Sequence, residues 1–494
     1  MTTTTDVTTT RPLQEVVSDP DAAGAVAVPE YDRAELRAGV VHFGVGGFHR
    51  AHQALYLDEL ARRGETEWGV IGVGMHRSEM KEVLAAQDNL FTVVERGPEG
   101  ERARIVGSII DYLYAPEQSD AVLAALTDPR IRLVTLTLTG AGYPVDPASG
   151  EFHPEDDDEV AADLSSAGEP SSVFGFLVEA LRLRREAGVA PFTVMSCDNA
   201  AENGRAARAA VCGFARERDD ELADWIERYV AFPSSMVDRI TPATSPRDRE
   251  EIVERLGVDD GWPVITEPFS QWIIEDRFCN DRPPLDAVGV QFVADVRPYE
   301  LMKTRLLNGS HCALGYFGLL LGHERGDEAM GDPELGEYIV GMMNQVIPLL
   351  PPVEGIDLQQ YRDVLVSRLL NPEIGDRLDR LARRGSVKLG SYVAPSIVDA
   401  RRRGEDCRLL TGTVAAWIAL LGREVDGNAA VQDPQLDELA PIAAKGDVRG
   451  ILAAVRGLAL LTEDDEVCRE IERVVAALLE HGARSILRAA LEER

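Results

Sequence analysis

Through the first 200 residues, short apolar runs alternate with helix-patterned segments, and several of the runs end at glycine or a polar residue. That alternation admits few architectures: a parallel sheet with helices on both faces, wound right-handed. Residues 40–43 read as a buried strand, followed by the turn Gly44-Val45-Gly46-Gly47 and a helix over about 48–63 that Gly64 ends. Residues 68–73 form a second strand finishing at Gly74, residues 131–138 a third, and residues 192–196 another that ends in Cys197-Asp198-Asn199. Val173, Leu177 and Leu181 share one helical face, with Ser172 as its cap and Gly188 as its stop. From about residue 298 strand patterns nearly vanish, and long helical stretches such as 300–321 and 466–492 take over. The reading is a doubly wound, Rossmann-like α/β domain over residues 26–290, then a mostly α-helical domain over 291–494. Residues 1–25 are Thr-rich and read as a flexible tail. Residues 155–163 read as an acidic, solvated loop.

At 494 residues the chain is too long for a single core. Its formal net charge of -33 argues against nucleic acid or an anionic membrane as partner, since both require clustered Lys and Arg. The same charge favours a monomer as the default. No apolar run approaches the ~20 residues of a membrane span, and the opening MTTTTDVTTTRPLQ lacks the apolar core of a secretory signal. Six cysteines without a CxxC pair indicate neither a disulfide framework nor a structural zinc site. A cytoplasmic protein is the expectation. Only four of the 51 basic residues are lysine: Lys81, Lys303, Lys388 and Lys445. Arg stays charged, whereas a partly buried Lys can lose its proton near neutral pH, so a retained Lys suggests a task that Arg cannot perform.

In an open α/β sheet, ligands bind beyond the carboxyl ends of the strands. Residues 44–47, 72–74, 139–142 and 197–199 leave those ends here, three of them Gly-rich and one polar. Gly44, Gly46 and Gly47 follow a strand and open a helix, as a pyrophosphate-binding turn must. The pattern departs from GxGxxG, because His49 stands where the third glycine would be. NAD sites place an acid after the second strand; here Met75, His76, Arg77 and Ser78 follow Gly74, and Arg77 with Ser78 would suit a 2′-phosphate as well. NAD is the expected cofactor, with NADP kept open.

The segment from Tyr299 to His311, YELMKTRLLNGSH, is the most informative in the second half. On an ideal helix Lys303, Asn308 and His311 lie at about 0°, 140° and 80°, one broad face. Oxidising an alcohol requires a base for the hydroxyl proton and donors for the developing oxyanion. A Lys, an Asn amide and a His supply both; the competing reading is a polar seam between domains with no chemistry.

GVGGFHRAH at 44–52, SCDN at 196–199, FPSSMVDRITP at 232–242, TEPFSQWIIED at 266–276 and YELMKTRLLNGSH at 299–311 together resemble the polyol-specific long-chain dehydrogenase/reductases, the mannitol dehydrogenase family. The likeness runs from about residue 38 to 400. It implies metal-independent hydride transfer between a sugar alcohol and a nicotinamide cofactor, with D-mannitol and NAD as the expected pair. By position in the motifs it implies Lys303 as general base, Asn199 and Asn308 as the oxyanion pocket, and His311 as an orienting group. Asp238, Arg380 and Lys388 would grip the polyol hydroxyls, and Gly44, Gly46, Phe48 and Arg50 would form the pyrophosphate turn. Glu300, three residues before Lys303, is a candidate proton relay. The site is expected between the two domains. The chain departs from the family at Gly140, where relatives carry an acid, and in the missing acid after Gly74. D-arabinitol 4-dehydrogenase and the fructuronate or tagaturonate reductases share the chemistry and remain alternatives. A non-catalytic dinucleotide sensor is the rival from a different class.

Overall fold

The computed structural model describes residues 10–19, 24–138, 142–146, 149–166, 168–425, 428–429 and 431–492. Five parallel strands form the central sheet of the first unit: β1 (Ala38–Phe43), β2 (Gly69–Gly74), β3 (Ile109–Tyr114), β4 (Leu133–Leu136) and β5 (Thr193–Ser196). Their order is β3-β2-β1-β4-β5. This is the doubly wound arrangement, with its topological switch between β1 and β4. Both faces are covered, and Val40, Val41 and Phe43 on adjacent positions of β1 are fully buried. That two-sided burial explains why the strand reads as a continuous apolar run rather than an alternation. Phe43, Val134 and Val194 pack with Phe176, Leu177 and Leu181 of the helix Val173–Ala187 on one side. Val40, Val70 and Leu133 pack with Leu57 and Leu60 of the helix Gln53–Arg62 on the other. Ser172 caps the former helix through Gly175 N at 3.0 Å, and Gly188 ends it at φ +67°.

β3 carries Asp111 between apolar neighbours and is masked in the sequence by that interruption. The hairpin Phe91–Gly97/Gly100–Val106 stands outside the strands expected from the sequence, and Val264–Thr266 pairs in parallel with its first strand. A further sheet joins Ser235–Asp238, Gln271–Glu275 and Gln291–Val293.

Two expectations need correction. Residues 11–18 are not a loose tail: Arg11–Pro12 pairs with Val258–Asp259, and the helix Leu13–Ser18 buries Leu13 and Val16 against Val94, Ile105 and Ile252. Thr-rich surroundings hide an i, i+3 apolar pair whose partners are some 80 to 240 residues away in the chain. Residues 155–163 are not a loop: they include the helix Asp158–Ser165, which buries Val160 and Asp163. Asp163 accepts hydrogen bonds from the backbone and hydroxyls of Ser171 and Ser172, so one acid of the run is a structural acceptor rather than a solvated charge. The strand Gln291–Val293 pairs with Gln271–Glu275, and the first unit runs to Arg297, a few residues past the boundary expected near residue 290.

The second unit, residues 298–494, is helical. Its core is built around the helix Gly309–Leu321 and the apolar helix Arg408–Leu421. Gly315 lets the first of these approach a neighbour closely: a Cβ there would lie 3.0 Å from Ala382 N and 3.2 Å from Leu381 C, in the helix Leu378–Ala382. The last helix, Asp465–Glu492, breaks at Gly482 (φ 76°), and Arg484 and Arg488 tie the remainder to Asp332 and Glu334. Among the described residues no helix is long and apolar enough to cross a membrane. None of the described His, Cys, Asp and Glu residues gather in threes that could hold a metal ion, and all six cysteines are free thiols.

Candidate active site

In the first unit the glycine turn leaves β1 at the switch point. Gly44 adopts φ +96°, and a Cβ there would stand 2.1 Å from the Thr137 carbonyl oxygen, so the fold itself demands glycine. Gly46 and Gly47 are different. Gly46 has φ -100°; a Cβ on it would meet only Gly44 O at 3.8 Å, and one on Gly47 would meet nothing within 4 Å. Nothing in the chain requires these two to lack side chains. Their openness suits a bound group that the backbone must approach closely, and the adjacent first-turn amides have no intrahelical acceptor. The helix expected over 48–63 is divided at His52 into Gly47–Ala51 and Gln53–Arg62.

Beneath the turn lies a buried imidazole pair. His42 Nδ1 is 2.8 Å from Thr135 Oγ1, and its Nε2 is 3.1 Å from Thr137 Oγ1 and 3.2 Å from Gly44 O. The His49 ring stacks on it with centroids 3.4 Å apart. So His49, which stands in place of the third glycine, stacks beneath the turn on His42. Phe48 is half-buried and stacks on His52 at 5.1 Å. Arg50 is 1% exposed, lies over Phe91 and donates through Nη1 to the Trp262 carbonyl. Arg77 is exposed. Two residues past the end of β2, His76 Nδ1 is 3.3 Å from Glu159 Oε1. An acid therefore does stand near that strand end, contributed from the helix Asp158–Ser165, where sequence proximity gives no sign of it.

At the end of β5, Asp198 is buried and organises the turn: its Oδ2 accepts from Tyr143 Oη at 2.7 Å and from Leu138 N at 3.1 Å. Asn203 Nδ2 donates to Asp198 O and Ser235 O, so the same turn is pinned to the strand Ser235–Asp238. Asn199 is exposed, and Asp238 is 3% exposed at the end of its strand. Residues 139–141, which include the departure at Gly140, lie outside the described residues.

In the second unit, the segment Tyr299 to His311 is one continuous helical path containing a π turn at Thr304–Asn308. A π turn takes up one extra residue, which rotates everything after it by about 100° relative to an ideal α-helix. Asn308 then moves from about 140° to about 40° relative to Lys303, and His311 from about 80° to about -20°. The broad face expected from ideal geometry becomes a narrow one. The segment is anchored by Tyr299 Oη donating to Glu354 O at 2.8 Å and by Arg305 paired with Asp399 at 2.7 Å. Lys303 is 6% exposed, and Glu300 and Asn308 are 8% exposed each. His311 Nε2 is buried without a hydrogen-bond partner, as are Glu300 Oε1 and a number of buried polar atoms elsewhere in the molecule, and the Asn308 side chain acts on the Tyr392 hydroxyl. Close packing at Gly315 brings the helix Leu378–Ala382 and the following segment to the same place: Asp376, Arg380, Lys388 and Arg368 all act electrostatically on His311.

Burial holds these imidazoles neutral. It pushes His311 down to about 4 and His42 down to about 3, and it carries His49 well below the ordinary value with His42 adding to the effect. Each refuses a proton that the unfolded chain accepts, so stability falls as pH drops below about 6.5. The contribution of His311 flattens near pH 4 and that of His42 near pH 3. In an NMR titration from pH 8 to pH 5, the ring resonances of all three are expected to stay at their neutral positions. Exposed His153, raised by its hydrogen bond to Glu155, should titrate over the same range. A titration of His311 inside that window would contradict its neutral state.

Residues 38–287 match the mannitol dehydrogenase Rossmann domain, and residues 295–479 match the mannitol dehydrogenase C-terminal domain. The chain belongs to the mannitol dehydrogenase family. Mannitol 2-dehydrogenase of Cereibacter sphaeroides is 41% identical over 94% of this chain and 98% of its own. That of Pyrenophora tritici-repentis is 40% identical over 94% and 83%. Among solved structures, Pseudomonas fluorescens mannitol 2-dehydrogenase in ternary complex with NAD and D-mannitol superposes with a TM-score of 0.88 at 39% identity, covering 97% of this chain and 99% of that one. A D-sorbitol dehydrogenase in substrate-free form superposes at 0.86 with 36% identity, covering 94% and 98%.

Within this mannitol dehydrogenase family member, the helical unit by itself brings Lys303, Asn308 and His311 onto one helix face. It also brings Arg380 and Lys388 into electrostatic reach of His311. Arg380 is not a free cation: its Nε donates to Asp376 Oδ1 at 2.7 Å. Lys388 donates to the Leu381 carbonyl at 3.0 Å, and burial lowers its pKa. Sequence reasoning missed Asp376 and Glu159, ordinary acids in an acid-rich chain that no spacing singles out, and it gave Asp198 no role of its own within the SCDN motif.

Proposed function

We propose that the protein is an NAD-linked mannitol 2-dehydrogenase that interconverts D-mannitol and D-fructose. The observation that carries this reading is the full-length likeness to an enzyme solved with NAD and D-mannitol together. The six free thiols suit a reducing compartment such as the cytoplasm. The open backbone at Gly46 and Gly47 fits a dinucleotide pyrophosphate, with Gly44 setting the turn and Phe48 and Arg50 behind it. NAD supplies the acceptor for the hydride from C2. Lys303 takes the proton of the C2 hydroxyl and returns it in the reverse direction, and no other lysine lies on that helix. The buried Asn308 amide stabilises the developing charge on oxygen, and Asn199 is assigned the same role by its place in the SCDN motif. His311, neutral and with Nε2 unpartnered, orients a hydroxyl. Asp238, Arg380 and Lys388 hold the remaining hydroxyls. Glu300, one helical turn before Lys303, relays the proton onward.

Initial rates on mannitol, arabinitol, sorbitol and xylitol, each with NAD and NADP, test the assignment. Mannitol with NAD is expected to be fastest. Faster arabinitol or sorbitol oxidation would reassign the substrate. A preference for NADP would give exposed Arg77 the 2′-phosphate role, and absence of turnover on every substrate would favour a dinucleotide sensor.

A further inference from the structure

Asp376 lies just before the helix Leu378–Ala382 and acts electrostatically on His311. Its carboxylate is engaged by Arg380 one helical turn on, with Nε donating to Oδ1 at 2.7 Å and Nη2 donating to Oδ2. This is the two-point fork that makes Arg–carboxylate pairs strong and geometrically specific. The Asp376 side chain is 12% exposed and that of Arg380 is 47% exposed, so the acid is held inside while the cation reaches outward. The same carboxylate acts on both His311 and Lys388, the other groups of this cluster. Lys388 is half-committed, since its ammonium donates to the Leu381 carbonyl.

We propose that Asp376 is a specificity-determining residue: by occupying Arg380 in a bidentate pair, it reserves the site for neutral polyols and turns away analogues that end in a carboxylate. The inference rests on the polyol dehydrogenase reading above and says which members of that substrate class are admitted. A substrate carboxylate would have to displace Asp376 from the guanidinium and then lie beside the displaced charge. Like charges brought together on one guanidinium disfavour each other, and this is how sites reject a competitor rather than merely prefer a ligand. A hydroxyl meets no such obstacle, because it can donate to the carboxylate and accept from the Nη1 group that the pair leaves over. The bland alternative is an i, i+4 surface ion pair with no bearing on substrate.

Competitive inhibition of mannitol oxidation by D-mannonate, with sorbitol as the neutral control, separates the two. In Asp376→Asn the inhibition constant for D-mannonate is expected to fall about tenfold or more, the gain of a charged hydrogen-bonded pair. That for sorbitol should move less than about threefold. Adding Arg380→Ala to Asp376→Asn should cancel the gain, and Asp376→Glu should restore discrimination. A structural role for Asp376 would move both inhibitors alike. Equal shifts, or none, in a variant that still oxidises mannitol would overturn the inference and leave the dehydrogenase reading standing. A wild-type enzyme that binds D-mannonate more tightly than mannitol would overturn both. Asp376→Ser reads the same quantities should the Asn variant fail to fold.

Discussion

Lys303→Ala is expected to lower kcat for mannitol oxidation about a thousandfold while leaving NAD binding intact. Lys303 is 6% exposed, at the point where the α-helical path of Arg297–Lys303 passes into the π turn. The side chain is thus largely removed from bulk water. Lys303→Arg should fail almost as badly, because a guanidinium keeps its proton at any pH the enzyme survives. This pair of variants tells chemistry from packing: a polar residue that only seals a seam would tolerate Arg. Fluorescence titration with NAD reports binding, and steady-state rates report chemistry. If either variant keeps more than about a tenth of the wild-type kcat, Lys303 is not the base. Glu300→Gln gives the companion test. A proton relay through Glu300 predicts an altered pH–rate profile with a much smaller loss of maximal rate, whereas an unchanged profile would remove Glu300 from the proton path.

The sequence made some of this legible for reasons that are local. β1 and β2 are continuous apolar runs ended by glycine, and the helix Val173–Ala187 carries its own cap and stop. The catalytic helix was legible in its residue types but not in its geometry. No propensity distinguishes Thr304–Asn308 from α-helix, so the π turn that narrows the face leaves no mark in the sequence. β3 escaped because Asp111 interrupts its pattern, and the helix Leu13–Ser18 escaped because its burial depends on strands far along the chain. His49 was legible as a departure from GxGxxG, yet its role as a stacked support for His42 follows only from the three-dimensional pairing. What a sequence shows is the set of groups that chemistry needs; what it hides is which acids sit against them, as with Asp376 on Arg380.

The glycine turn offers the sharpest separation of fold from function, because its glycines are there for different reasons. Gly44→Ala is expected to destabilise the first unit by roughly 3 kcal/mol or more: φ is +96°, and the new Cβ would press 2.1 Å from a backbone carbonyl that cannot rotate away. Gly47→Ala should leave thermal stability unchanged or slightly raised, since the position is helical and a Cβ there meets nothing within 4 Å. Its cost should appear as an increase of about tenfold in KM for NAD, because the methyl group occupies space that the pyrophosphate needs. Thermal unfolding followed by circular dichroism and NAD saturation curves, run on both variants, read the two effects separately. If Gly47→Ala unfolds early while binding NAD normally, that glycine serves the fold and the turn is not a cofactor cradle. If Gly44→Ala is as stable as wild type, the Thr137 carbonyl must yield, and the turn is softer than its contacts with β4 imply. The expected pattern, one variant unstable and the other stable but weak in NAD binding, would mean that the chain itself fixes the shape of the turn and the cofactor fixes what may stand on it.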